Sequence, residues 1–112
     1  MLIRSQNKEV LIAFESLLDV EVSGGVISAR RDMGWCCLLG EYSTKAKAMK
    51  VLDMIQEAYA KYKITCTFLT GFTGRRVIAE LNDIHVNGFE ELIKSFKKNM
   101  VFQMPEDSEV EV

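Results

Sequence analysis

"LGEYSTKAKAMKVLDMIQEAY", residues 39 to 59, is the stretch whose reading decides the fold. Ala48, Val51, Leu52, Ile55, Tyr59 and, one turn on, Tyr62 recur at i, i+3, i+4 and i+7 spacing, with Lys47, Lys50, Asp53, Gln56, Glu57 and Lys61 on the rest of the cylinder. The pattern predicts an amphipathic helix from 44 to 62 with Ser43 or Thr44 as its N-cap. Its charges run against the helix dipole. Lys45, Lys47 and Lys50 sit in the first two turns, where unsatisfied N–H groups favour carboxylates or another anion. Helix N termini bind phosphates readily, so Ser43, Thr44, Lys45 and Lys47 form a reserve anion site. The competing reading leaves these lysines solvated, with Lys50 paired to Asp53 and Glu57 to Lys61.

Upstream of this helix, residues 1 to 42 read as strands. "LDVEVS" puts Leu18, Val20 and Val22 on one side and Asp19, Glu21 and Ser23 on the other, the period of a half-buried strand. Gly24 and Gly25 then supply the positive φ angles of a tight turn. "VISARR" and "WCCLLGEY" give two more strands joined at "DMG", so an antiparallel meander is expected, with "LIRS" and "VLIAF" before it. Arg30 and Arg31 should point to opposite faces of it. Downstream, "ITCTFLT" alternates like a strand, "GFTGRR" is a loop, "VIAEL" is a strand, "NGFEELIKSFKK" is a short helix, and "MVFQM" is a strand stopped by Pro105. The expected fold is α+β: an N-terminal antiparallel β-meander packed on a long central helix, followed by a second strand-helix-strand segment. Residues 1 to 105 form a single domain in this reading, and 106 to 112 an acidic flexible tail with little to bury.

Composition narrows the functional classes. The chain of 112 residues is 48% apolar, enough for one core. Its net charge is −2, but Glu106, Asp107, Glu109 and Glu111 are crowded into the last seven residues, leaving 14 bases against 12 acids in the body. That balance is too mild for a binder of duplex nucleic acid, which shows a strong basic face. The N-terminal stretch lacks the apolar core and cleavage site of a signal peptide, and no segment approaches the roughly 20 apolar residues of a membrane span. A cytoplasmic setting is expected. Cys36, Cys37 and Cys66 are odd in number, without metal-ligand spacing, and read as buried reduced thiols. The single histidine, His85, lies in an apolar run, and no nucleophile elbow, HExxH, P-loop or GxGxxG is present. Neither an enzyme, nor a metal, nor a cofactor is expected.

One constellation carries ligand chemistry. In "GFTGRR", Gly71 and Gly74 let the backbone approach a ligand, Arg75 and Arg76 offer planar forks for phosphate, and Phe72 offers a face for stacking on a base. The candidate clamp is Phe72, Thr73, Arg75 and Arg76 with Asn82 nearby, closed from the other side by Arg30 or Arg31. An ordinary hairpin turn with solvated arginines has the same ingredients.

"MLIRSQNK", "LGEYSTKAKAMKVLDMIQEAY" and "VFQMPEDSEV" together resemble a group of small accessory proteins encoded by phages and prophages of Firmicutes. The resemblance covers about the first 60 residues and the last dozen; the region from Ile64 to Lys98 departs from the shorter members. It implies a protein of the host cytoplasm that acts by binding. In size and element order the chain is also similar to anti-Thoeris sponges, oligomeric proteins that capture cyclic ADP-ribose-type signals and in some cases cyclic oligonucleotides. That similarity implies a nucleotide-derived small-molecule partner and a homo-oligomer. A protein-binding inhibitor of a host factor, such as an anti-CRISPR, and a phage structural or regulatory protein are the alternatives.

Overall fold

The described residues are arranged as two small sheets and one long helix. Their elements are β1 (Leu2–Arg4), β2 (Leu11–Ala13), β3 (Asp19–Ser23), β4 (Val26–Asp32), β5 (Trp35–Glu41), α1 (Lys45–Thr70) and β6 (Val101–Gln103). The computed structural model describes residues 1–32, 34–70, 94 and 96–111, the side chains of 68–70 excepted. The "GFTGRR" loop, the "VIAEL" strand, His85 and the start of the second expected helix lie outside the described residues. Residues 96–100 are helical and lead directly into β6.

The class is the α+β one expected. β3, β4 and β5 form the expected antiparallel meander, and the two strands before it lie in a separate sheet ordered β2-β1-β6, in which β1 pairs antiparallel with β2 and parallel with β6. The break falls at Phe14–Ser16, a 3-10 turn that ends the β2 alternation after only three residues and turns the chain towards the second sheet.

One correction concerns residues 64 to 70, "ITCTFLT", which continue α1 and do not form a strand. Their period-2 alternation is short, and the preceding helix offers carbonyls that the threonine hydroxyls use. Thr65 Oγ1 donates to Lys61 O and Thr67 Oγ1 to Lys63 O, each at 2.9 Å, the back-bonding by which threonine is accommodated inside a helix. Thr65 Oγ1 also accepts from Asn99 Nδ2 at 3.1 Å, fastening the extended helix to the chain that returns towards β6.

The core lies where both sheets meet α1. Ile3 and Ile12 come from the first sheet, Ile27, Ala29 and Leu39 from the second, Ala48, Val51 and Ile55 from α1, and Met104 and Val110 from the C-terminal segment. The stripe of α1 is thus the predicted one, with Leu52, Tyr59 and Tyr62 at its half-buried margin. Between the sheets, the side chain of Gln6 acts as a strut. Its Oε1 accepts from Glu41 N at 2.9 Å, and its Nε2 donates to Glu41 O at 3.0 Å and to Pro105 O at 3.2 Å.

The turn glycines divide their work. Gly24 has a φ of +59°, whereas Gly25 is needed for close approach: Tyr42 N donates to Gly25 O at 2.7 Å, and a Cβ on Gly25 would lie 2.1 Å from the Tyr42 carbonyl oxygen. Gly24→Ala meets only the left-handed strain of about 1–2 kcal/mol. Gly25→Ala must move backbone, so urea denaturation should show it to be clearly the more destabilising of the two. Equal midpoints for the two variants would contradict this packing.

Candidate functional site

The cationic start of α1 does hold an anion, and the chain supplies it. Thr44 is the cap, its Oγ1 accepting from Lys47 N at 3.1 Å. The free Ser43 N donates to Asp107 Oδ1 at 2.8 Å, and Lys47 Nζ donates to Asp107 O at 3.0 Å and lies 3.6 Å from Asp107 Oδ1. Lys50 pairs not with Asp53 but with the backbone of the C-terminal segment, donating to Glu111 O. The expected Glu57–Lys61 pair is present at 3.9 Å. Residues 106–111, read as a tail with little to bury, contribute Val110 at 4% exposure to the core and a 3-10 turn at Asp107–Glu109 closed by reciprocal Glu106 and Glu109 capping bonds.

This contact shifts two titrations. The backbone bond from Ser43, with Lys47 beside it, holds the Asp107 carboxyl below its ordinary 3.8. Burial, reinforced by Glu106, Asp107 and Glu109, pushes the Tyr42 phenol up to about 12, and its hydroxyl donates to Pro105 O at 2.8 Å.

Of the residues expected to clamp a ligand, Phe72, Thr73, Arg75, Arg76 and Asn82 lie outside the described residues. Arg30 and Arg31 diverge as expected, and each has a partner. Arg30 Nη2 is 2.5 Å from Asp19 Oδ2 and 3.5 Å from Glu21 Oε1, while the Arg31 guanidinium lies 4.8 Å from the Trp35 ring centroid. The thiols need correction: Cys36 is exposed and Cys37 and Cys66 are half-buried, because a β-strand of seven residues places adjacent cysteines on opposite faces. Among the described residues, no group of three or more His, Cys, Asp or Glu side chains is placed to hold a metal ion, and no helix is long and apolar enough to cross a membrane.

A groove not anticipated from the sequence lies between α1 and β3. Its volume is about 370 Å³, and its walls are Phe14, Leu17, Leu18 and Val20 on one side and Leu52, Ile55 and Tyr59 on the other. Asp19 and Gln56 are its polar lining residues. The Phe14 and Tyr59 rings approach to 4.5 Å between centroids, Tyr62 follows 6.0 Å from Tyr59, and Lys63 Nζ stands 5.7 Å from the Tyr59 ring. An apolar cleft of this volume with a few polar groups is the ordinary form of a small-molecule site. The sequence signal for it was "LL" directly before β3: Leu17 and Leu18 are adjacent and line one wall together, which strict alternation would not produce.

Comparisons with protein-family models, with curated proteins and with solved structures find no match.

The titrations give a direct check. Asp107 ionises more readily in the folded chain, so its contribution is full above 3.8 and is lost as pH falls through its lowered folded value. Tyr42 holds its proton more tightly when folded, so its contribution is full below 10.0 and is lost as pH rises towards about 12. Urea midpoints measured against pH should show Asp107→Asn flattening the acid limb and Tyr42→Phe flattening the alkaline one. If Asp107→Asn leaves the acid limb unchanged, the carboxylate does not hold the helix start.

Proposed function

We propose that the protein is a non-catalytic, phage-encoded binding protein of the host cytoplasm that sequesters a nucleotide-derived immune signal, with the groove between α1 and β3 as its seat. One observation carries this reading: a cleft of about 370 Å³ that combines clustered aromatic rings with Asp19 and Gln56 as polar lining. Aromatic faces accept nucleobases of any sequence by stacking, at about 1–3 kcal/mol per base. Lys63 at the Tyr59 ring brings positive charge to the neighbourhood, which suits a phosphorylated ligand. The resemblance of "MLIRSQNK" and "VFQMPEDSEV" to phage and prophage accessory proteins supports the setting, and the sponge similarity supports sequestration by a homo-oligomer.

A second reading, inhibition of a host protein, is favoured by a different surface. The outer face of the first sheet exposes Leu11 by 58%, Val101 by 43% and Leu2 by 36%, and the register sets Leu2 beside Val101 and Ala13. Exposed apolar patches on sheets commonly mark protein interfaces.

The two readings separate in one experiment. The purified protein is incubated with extract of phage-challenged cells, recovered and denatured, and the released material is analysed by mass spectrometry. Signal capture releases a nucleotide, and titration with cyclic ADP-ribose then gives a Kd that Leu18→Arg weakens by roughly tenfold or more, since Leu18 is a groove residue exposed by 67% and its replacement should spare the fold. Leu11→Lys should leave that Kd unchanged. Recovery of one host protein, lost in Leu11→Lys and retained in Leu18→Arg, would overturn the groove reading in favour of the second.

A further inference from the structure

β6 is an outer strand of its sheet, and among the described residues no strand pairs with its far side. Backbone groups alternate in direction along a strand. Met104 N donates to Arg4 O at 3.0 Å, so Phe102 and Met104 turn their backbone groups to β1, while Val101 and Gln103 turn theirs to the open edge. The inner side of that edge faces a cleft of about 440 Å³ between β6 and α1, whose apolar lining is Met1, Met54, Ala58, Val101 and Phe102. Phe102 is half-buried there, beside its register partner Ile3, which is wholly buried. The chain on either side of β6 carries opposite charge: the exposed Lys97 and Lys98 precede the strand, and the exposed Glu106 and Glu109 follow it.

We propose that β6 is a dimerisation edge, paired antiparallel with β6 of a second copy of this chain about a two-fold axis at Phe102. A contact between identical surfaces must be self-complementary, and this edge meets that condition. Val101 of each copy falls opposite Gln103 of the other, and because these residues turn their N–H and C=O groups outward, each such pair exchanges both of its backbone hydrogen bonds. Phe102 then stands beside Phe102 of the second copy on the inner face, where Cα atoms approach to about 4.5 Å and aromatic pairs are favourable. Each copy thereby contributes a ring to the other's cleft. The same axis carries Lys97 and Lys98 of one copy towards Glu106 and Glu109 of the other. The β2 edge lacks this match: self-pairing about Ile12, with Leu11 against Ala13, sets Glu9 opposite Glu15, and like charges directly opposite repel. The inference is independent of what the groove between α1 and β3 binds.

Light scattering and sedimentation of the full chain at micromolar concentration should give the mass of a dimer. Gln103→Pro removes an outward N–H and is preceded by Phe102, whose extended backbone a following proline favours, so this variant should be a monomer with an unchanged circular dichroism spectrum. Lys98→Glu alters an exposed side chain alone. At low salt it should raise the dimer Kd about fivefold, through repulsion from Glu106 of the second copy, and Lys98→Glu combined with Glu106→Lys should restore it. That rescue keeps the test decisive even if Gln103→Pro folds poorly. A monomeric wild-type mass throughout the micromolar range would overturn the proposal. So would a dimer that both Gln103→Pro and Lys98→Glu leave intact, or one that Leu11→Lys dissociates while Gln103→Pro does not.

Discussion

The Gln6 side chain is the contact on which the relation between the two sheets depends. Neither sheet can extend into the other, because β2 ends after three residues and the 3-10 turn redirects the chain. A single amide solves the junction by imitating a strand: it accepts from and donates to Glu41 as a backbone neighbour would, and the Gln6 N–H continues the pattern to Leu39 O at 2.8 Å. Its remaining bond, to Pro105 O, brings the C-terminal segment to the same seam. Three parts of the chain distant in sequence thereby share one set of hydrogen bonds, and Ile3, Leu39 and Met104 are buried beneath them. Around this seam Ser5 is nearly inaccessible and bonded throughout, its N–H donating to Val10 O at 2.9 Å and its Oγ accepting from Val10 N at 3.1 Å.

The placement of charge follows the same economy of partners. A helix that starts with lysines opposes its own dipole, and the opposition is removed when Asp107 meets Ser43 N and Lys47 at its first turn. The acidic C-terminal residues and the basic helix start, which look unbalanced when each is read alone, are two halves of one contact. The groove has a comparable origin. Phe14 and Leu17 come from the connection between the sheets, so the same redirection that separates the sheets opens a cleft between that connection and α1.

What was legible in the sequence was local. The stripe Ala48, Val51, Ile55 predicted the buried face of α1, the alternation of Val20 and Val22 predicted β3, and "GG" predicted the hairpin, because each of these signals is contained within a few residues. Partnership across the chain was not legible. Nothing in "LIRS" states that its neighbours are Ala13 on one side and Val101 on the other, and nothing in "EDSEVEV" states that Val110 is a core residue. Residues 64 to 70 show the limit from the other side: alternation in a short run predicted a strand, and the neighbouring helix and Asn99 decided otherwise. The groove depended on long-range placement too, since its walls come from residues some 35 positions apart. Among the described residues that the sequence offered as ligands, Arg30 pairs with Asp19, a residue of the groove lining.

The parallel pairing of β1 with β6 has a consequence for biogenesis. Leu2 lies beside Val101 and Arg4 beside Gln103, so β1 waits for a partner far later in the chain. Closing so long a loop is entropically costly, and parallel pairing between remote segments is slow for that reason. During translation the β3-β4-β5 hairpins, whose partners are adjacent in sequence, can form while the first sheet still lacks a strand. The first sheet is therefore complete only once β6 has emerged, and a nascent chain halted before β6 carries an open sheet edge that invites pairing with another chain.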